Sequence, residues 1–287
     1  MKKKLLTLVT IAVSAAIFVG CASPAPAPAP APAPAAEAPA EDSTEEDDAI
    51  SEATRWAWEN DTIFMGTNAE FPPFEFIADW GQGLHGQYDG VDIAIGVRIA
   101  EHLGVELEII DMPFDGLIMA LAAGQVDFVA AALTITPERA RQVDFSIPYY
   151  TAYQTILVAS GNDTINEPQD IYGMLVGVQM GTTGDFTASD LPDVEVMRYS
   201  RAVDAIIPLI NGQIDAILVD SITASFFHEA HPDDLRIVSG ADYFSRENYG
   251  IAIGQGQPEL VAAINEVLQD MLDSGEIARL VAYYASN

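Results

Sequence analysis

The feature that most constrains the fold is an internal repeat. The stretches "LIMALAAGQVDFVAAALT" (Leu117–Thr134) and "AIIPLINGQIDAILVDSI" (Ala205–Ile222) align at a constant offset of 88 residues. In each, an apolar helical segment stops at a glycine (Gly124, Gly212). Glutamine, a β-branched residue and an aspartate (Asp127, Asp215) follow, and then an apolar strand. Two copies without a third predict two similar lobes and not a solenoid. Ligands of open α/β sheets lie beyond the carboxyl ends of the strands. The repeat therefore predicts that Ala131–Thr134 and Val219–Asp220 face a common cleft.

The flanking sequence supports an α/β reading. "TIFMGTN" has strand character and ends near Gly66, and "AEFPPFEF" reads as a loop with two prolines. "GVDIAIGVRIAEHLG" places Val91, Ile95, Ile99 and Leu103 four apart, with Gly104 as a stop, so it predicts a helix. "VELEII" then predicts a strand, and the alternation argues for a mostly parallel sheet. In "LTITPERARQVDFS", Thr136 and Pro137 predict a helix start with Arg139 in its first turn. A cation there opposes the helix dipole.

The N-terminus has a different texture. Lys2, Lys3 and Lys4 precede an apolar run from Leu5 to Gly20, which reads as an export signal over residues 1–20 and is short for a membrane span. Cys21 is the only cysteine, so no internal disulfide can form. Following a small residue at the end of the leader, it resembles a lipoprotein box, with Cys21 as the lipidated first residue. Residues 21–60 begin with an Ala/Pro tract, a semi-rigid polyproline spacer, and continue into the acidic run "EDSTEEDD", expected to be disordered. All three lysines belong to the leader, leaving nine arginines as the basic residues of the remainder. With a formal charge of −31 for the whole chain, nucleic acid and anionic lipid surfaces are poor partners. Such acidity suits high salt or alkaline surroundings.

From Gly66 onward the chain resembles bacterial extracellular solute-binding proteins of family 3, the polar amino-acid receptors of ABC importers. "GTNAEFPPFEF", "GVDIAIGVRIAEHLG", "FDGLIMALAAGQVDFVAAALTITPERARQVDFSIPYY", "LVGVQMGTTGDF", "GQIDAILVDS" and "NYGIAI" carry the resemblance. Val91 and Ala94 depart from the family's usual residues. The resemblance implies a two-lobed periplasmic-binding-protein fold (type II), each lobe a mixed sheet flanked by helices, joined by two hinge strands. Lobe one would comprise 61–150 and 249–287, and lobe two 151–248. It implies capture of a free L-amino acid by a monomeric receptor, held outside the cytoplasm by its lipid and serving an ABC permease, with no cofactor.

The resemblance also implies site residues. Arg139 would fork onto the ligand's α-carboxylate, for which a guanidinium has the matching paired donors. Thr134 would add its hydroxyl and backbone N–H, with the carbonyl of Ala132 nearby. Thr183 would donate from the second lobe, and Asp220 would take the α-ammonium. Phe71 and Phe114 would cover the side chain from loops, while Phe74 and Phe76 pack in the core. Asn68 and Gln179 occupy specificity positions, and Ala131 replaces a polar residue common in binders of basic amino acids. The neutral carboxamides favour a neutral polar ligand such as glutamine. Arg141 better fits a surface pair with Glu138 or Asp144, and Asp220 could instead cap the helix that follows it.

Two other classes share these features. An arogenate or prephenate dehydratase on the same fold would need a cleft acid or base, for which Asp185 and Glu70 are conceivable. A sensor module would report ligand to a membrane receptor. His228, Glu229 and His231 read as a solvated stretch and not a metal site, and no phosphate-cradling loop is present.

Overall fold

The computed structural model describes residues 61–78 and 82–285. The leader, Cys21 and the Ala/Pro and acidic tether lie outside the described residues. Chain order begins with β1 (Thr62–Thr67), followed by the short strands β2 (Glu70–Phe71), β3 (Glu75–Ile77) and β4 (Tyr88–Asp89). The expected "AEFPPFEF" loop is thus partly a small antiparallel sheet, β2-β3-β4. Its two prolines occupy the turn between β2 and β3, where no ladder N–H is needed.

Helix α1 (Val91–Leu103) forms where the four-residue spacing predicts it. Val91, Ile95, Ile99 and Leu103 are all buried, and Gly104 ends the helix in the left-handed region at φ 71°. Burying each such side chain stabilises by about 1.5–3 kcal/mol. After β5 (Glu106–Asp111) comes α2 (Leu117–Ala122), then β6 (Phe128–Val129) and β7 (Asp144–Phe145). These strands and β14 (Ala252–Ile253) form a five-stranded sheet, β5-β1-β6-β14-β7. Its first three strands are parallel, and β14 is antiparallel to both neighbours. Helices α6 (Pro258–Asp273) and α7 (Glu276–Tyr284) pack with α1 on this sheet.

The second sheet contains β8 (Tyr150–Ala159), β9 (Leu175–Gln179), β10 (Glu195–Tyr199), β11 (Ala216–Asp220) and β12 (Leu235–Val238), in the order β10-β9-β11-β8-β12. It is flanked by α3 (Thr183–Asp190), α4 (Ile206–Ile210) and α5 (Ser221–Ala230). Strand β13 (Arg246–Tyr249) pairs with the first half of β8, at Tyr150–Tyr153, while β11 and β12 pair with the second half. The chain therefore passes between the two sheets along β8 and β13. The result is two-lobed, with mixed sheets in both lobes.

The repeat has a shared physical basis. Gly124 and Gly212 adopt φ 68° and 66°, so each helix stops where a side chain would be strained. Asp127 Oδ2 accepts the backbone N–H of Phe64 at 2.8 Å, and Asp215 Oδ2 accepts that of Leu175 at 2.9 Å. The backbone N–H of each aspartate returns a bond to the carbonyl of the same partner. Each aspartate ties the strand it begins to the parallel neighbour, β1 in one lobe and β9 in the other.

Candidate functional site

Arg139 is held by a single 3-10 turn, Arg139–Arg141, and not by the expected α-helix. The Thr136 hydroxyl still caps it, accepting the Arg139 backbone N–H at 3.2 Å. One turn accumulates little dipole, so Arg139 opposes a much smaller field than a helix start would set up. Its side chain is only 6 % exposed. Nη1 donates to the carbonyl of Thr134 at 2.7 Å, and Nη2 crosses the cleft to the carbonyl of Gly181 at 3.1 Å. The guanidinium carbon lies 5.4 Å from the centre of the Phe114 ring, within cation–π range. Among the described residues, no carboxylate comes within 4.0 Å of it. Burial lowers its pKa to about 10, against the pull of Glu247 and Asp220. Arg141, by contrast, is exposed and pairs with Glu138 at 3.7 Å.

A small cavity beside Arg139 is lined by Phe71, Phe114, Ala131, Ala132, Thr134, Gln179, Thr182, Thr183 and Asp220. The structure thus brings all but one of the residues proposed from sequence to one place. Asn68 stands behind the wall: its Oδ1 accepts Gln179 Nε2 at 2.8 Å, and its Nδ2 donates to the carbonyl of Met112 at 3.0 Å. Phe71 ends strand β2, a correction to its expected loop position, and Phe114 opens a 3-10 turn. Phe74 is fully buried, while Phe76 is only partly so and packs edge-on against Tyr284.

Asp220 ends β11 at the N-cap position of α5, yet its side chain makes no capping bond. It faces the cavity, where Gln154 Nε2 donates to Oδ1 at 3.0 Å. Burial and then the neighbouring Glu247 push its pKa to about 8, partly offset by Tyr249 and Arg139. Opposite, Ala132 sits at φ 46°, unusual for a residue with a Cβ. Asp92 holds it there, accepting the Ala132 backbone N–H at 2.7 Å and the Tyr149 hydroxyl at 2.9 Å. Both Asp92 and the neighbouring Glu75 are fully buried. Burial raises the Asp92 pKa to about 7 and, with the repulsion of Asp92, holds the Glu75 carboxyl well above the usual range.

Sequence reasoning missed three members of the site. Gln154 is a buried polar residue immediately before the apolar run "TILVA" of β8, and that contrast was its signal. Its place opposite Asp220 follows from the β8–β11 register, which the sequence does not display. Glu247 lies on β13 and accepts the hydroxyls of Thr134 at 2.9 Å and Thr183 at 2.6 Å. No local pattern marks it. Gly181 has φ 77°, and a Cβ there would stand 2.9 Å from Asp115 Cβ, so the two lobes meet at a backbone only glycine accommodates.

The acids considered for proton transfer are engaged elsewhere. Asp185 accepts Arg198 Nη2 at 2.9 Å and the Gly181 N–H at 3.1 Å. Glu70 pairs with Arg201 at 3.2 Å across the cleft rim. Neither lines the small cavity.

Comparison with known proteins agrees with the two-lobed fold. The Escherichia coli K12 L-cystine-binding protein TcyJ is 32 % identical over 224 residues, covering 77 % of this chain and 82 % of its own. An ancestral arginine-binding protein bound to glutamine superposes with a TM-score of 0.69 at 37 % identity, covering 78 % of this chain and 97 % of its own. The ancestral amino acid-binding protein AncCDT-1, a precursor of cyclohexadienyl dehydratase, superposes with a TM-score of 0.73 at 34 % identity, covering 80 % and 98 %. All three are binding proteins by name, and this chain is likewise a binding protein and not an enzyme. The family model for bacterial extracellular solute-binding proteins, family 3, matches residues 63–287, and the chain belongs to that family.

Proposed function

We propose that the protein is an extracytoplasmic receptor that captures a free L-amino acid by lobe closure and delivers it to the permease of an ABC importer. The observation that carries this reading is Arg139: a buried guanidinium at a two-lobed cleft, without a carboxylate within 4.0 Å among the described residues. A buried cation of this kind is stabilised by an incoming anion. Asp220 supplies the opposite charge across the same cavity, so the pair matches the α-carboxylate and α-ammonium of a zwitterion. Lobe one, residues 61–150 and 249–287, contributes Arg139, Thr134, Ala132 and the aromatic cover of Phe71 and Phe114. Lobe two, residues 151–248, contributes Gln179, Thr183 and Asp220.

The side-chain end of the cavity is the neutral Gln179, backed by Asn68, and the lining holds no carboxylate besides Asp220 and no arginine besides Arg139. This favours a neutral polar ligand, glutamine before arginine or glutamate. The receptor acts as a monomer, exported by residues 1–20 and tethered through a lipid on Cys21 and the spacer 21–60. The test is calorimetry of the purified globular part against all twenty amino acids. Glutamine should bind tightest, and tightest binding of lysine, arginine or glutamate overturns the specificity. Arg139→Met should weaken the best ligand by about 2–5 kcal/mol, and unchanged affinity in that variant removes the carboxylate role.

A further inference from the structure

The cavity beside Arg139 measures only about 10 Å³, room for about one water and far too little for an amino acid. The closed cleft therefore leaves no ligand-sized space beside Arg139. Glu247 Oε2 accepts hydrogen bonds from two hydroxyls at once, Thr134 of lobe one at 2.9 Å and Thr183 of lobe two at 2.6 Å. Its other oxygen lies 3.4 Å from Gln154 Nε2, the amide that also donates to Asp220. Each threonine hydroxyl carries a single proton, so a hydroxyl donating to Glu247 has none to offer a ligand. The same two threonines line the inner cavity, and with Glu247, Thr136, Arg246 and Asn248 they also line an outer cavity of about 350 Å³. The Thr134–Glu247–Thr183 bridge is a partition between the two spaces, and the outer one has room for the displaced carboxylate.

We propose that Glu247 is an internal carboxylate that competes with the ligand: it latches the empty cleft shut through Thr134 and Thr183 and must swing outward before a ligand carboxylate can take their protons. This inference rests on amino-acid capture as proposed above. Glu247 sits on a hinge strand, β13, so its bonds reach both lobes from the element about which they move. A latched, filled cleft is a binding-incompetent state, and its population divides the apparent affinity. The latch lowers the apparent affinity of every ligand by the same factor.

The experiment pairs calorimetry with small-angle scattering on the wild type, Glu247→Ala and Glu247→Gln, with L-glutamine and L-arginine as probes. Removing the carboxylate should tighten the better probe about tenfold and expand the ligand-free protein toward an open form. Glu247→Gln keeps one acceptor oxygen, so its gain should be smaller, and it guards against a folding defect in Glu247→Ala. Weaker or unchanged affinity in both variants overturns the proposal, as does a ligand-free Glu247→Ala protein as compact as the wild type. If neither probe binds any of the three proteins, the glutamine specificity proposed above fails, and amino-acid capture is left to the twenty-amino-acid screen. The scattering comparison still decides whether Glu247 latches the lobes.

Discussion

Asp220 carries the chemistry at the residue scale, because its protonation decides whether the ammonium end of the cleft is charged. Burial is the largest cause of its raised pKa of about 8, with Glu247 adding to it and Tyr249 and Arg139 opposing. An unfolded chain ionises an aspartate near pH 3.9. The raised value means that the folded, ligand-free protein gains stability from this group at low pH and loses it as pH rises through 8. Binding has the opposite sign, since an ammonium is held by the carboxylate and not by the acid. Capture below pH 8 must therefore release a proton from Asp220. Affinity should rise up to about tenfold per unit from pH 6 toward pH 8 and then level off. Calorimetry in phosphate and Tris should show a buffer-dependent enthalpy at pH 7. A flat affinity across this range, with no proton released, places the ammonium elsewhere.

At the scale of elements, the repeat was legible because its signals are local: a glycine stop, an aspartate, an apolar strand. The Asp127 and Asp215 bonds to Phe64 and Leu175 give that pattern a stabilising role that spacing alone does not reveal. Replacing Asp127 by Ala should cost about 1–2 kcal/mol of stability, since it strips a partly buried backbone N–H of its side-chain partner. Asp215→Ala should cost less, because its surroundings are exposed. Equal denaturation midpoints for the wild type and Asp127→Ala would remove this role. Asp220 was legible at a predicted strand end and Arg139 at a predicted helix start, and the role expected of each came from the resemblance to the family. Glu247 and Gln154 were not, because what brings them to the cleft is register: Gln154 lies opposite Asp220, and Glu247 opposite Ala152. The 3-10 turn at Arg139 escaped for another reason. Thr136 and Pro137 signal a helix start, but the first turn is alike in a long helix and in one that stops after three residues.

For the whole molecule the dominant quantity is charge. The chain has 43 acidic residues against 12 basic ones, and the ion pairs among the described residues engage few of those acids. The pairs that cross or rim the cleft are exposed, as with Arg201 and Glu70, whose side chains are 47 % and 24 % accessible. An exposed pair of this kind contributes at most about 1 kcal/mol and is weakened by salt. Repulsion among the unpaired carboxylates is weakened too, and it acts over the entire surface. At low ionic strength it reaches farther, since the screening length is roughly 30 Å at 0.01 M and roughly 3 Å at 1 M. Screening should therefore stabilise this protein on balance: the many repulsions outweigh the few attractions. The expected gain from 0.01 to 1 M sodium chloride is about 1–2 kcal/mol, a rise in melting temperature of roughly 2–8 °C. Sodium chloride is the salt to use, because sulfate would strengthen apolar burial as well. A melting temperature that falls over this range would mean that the surface pairs, and not the acidic excess, govern the stability of the fold.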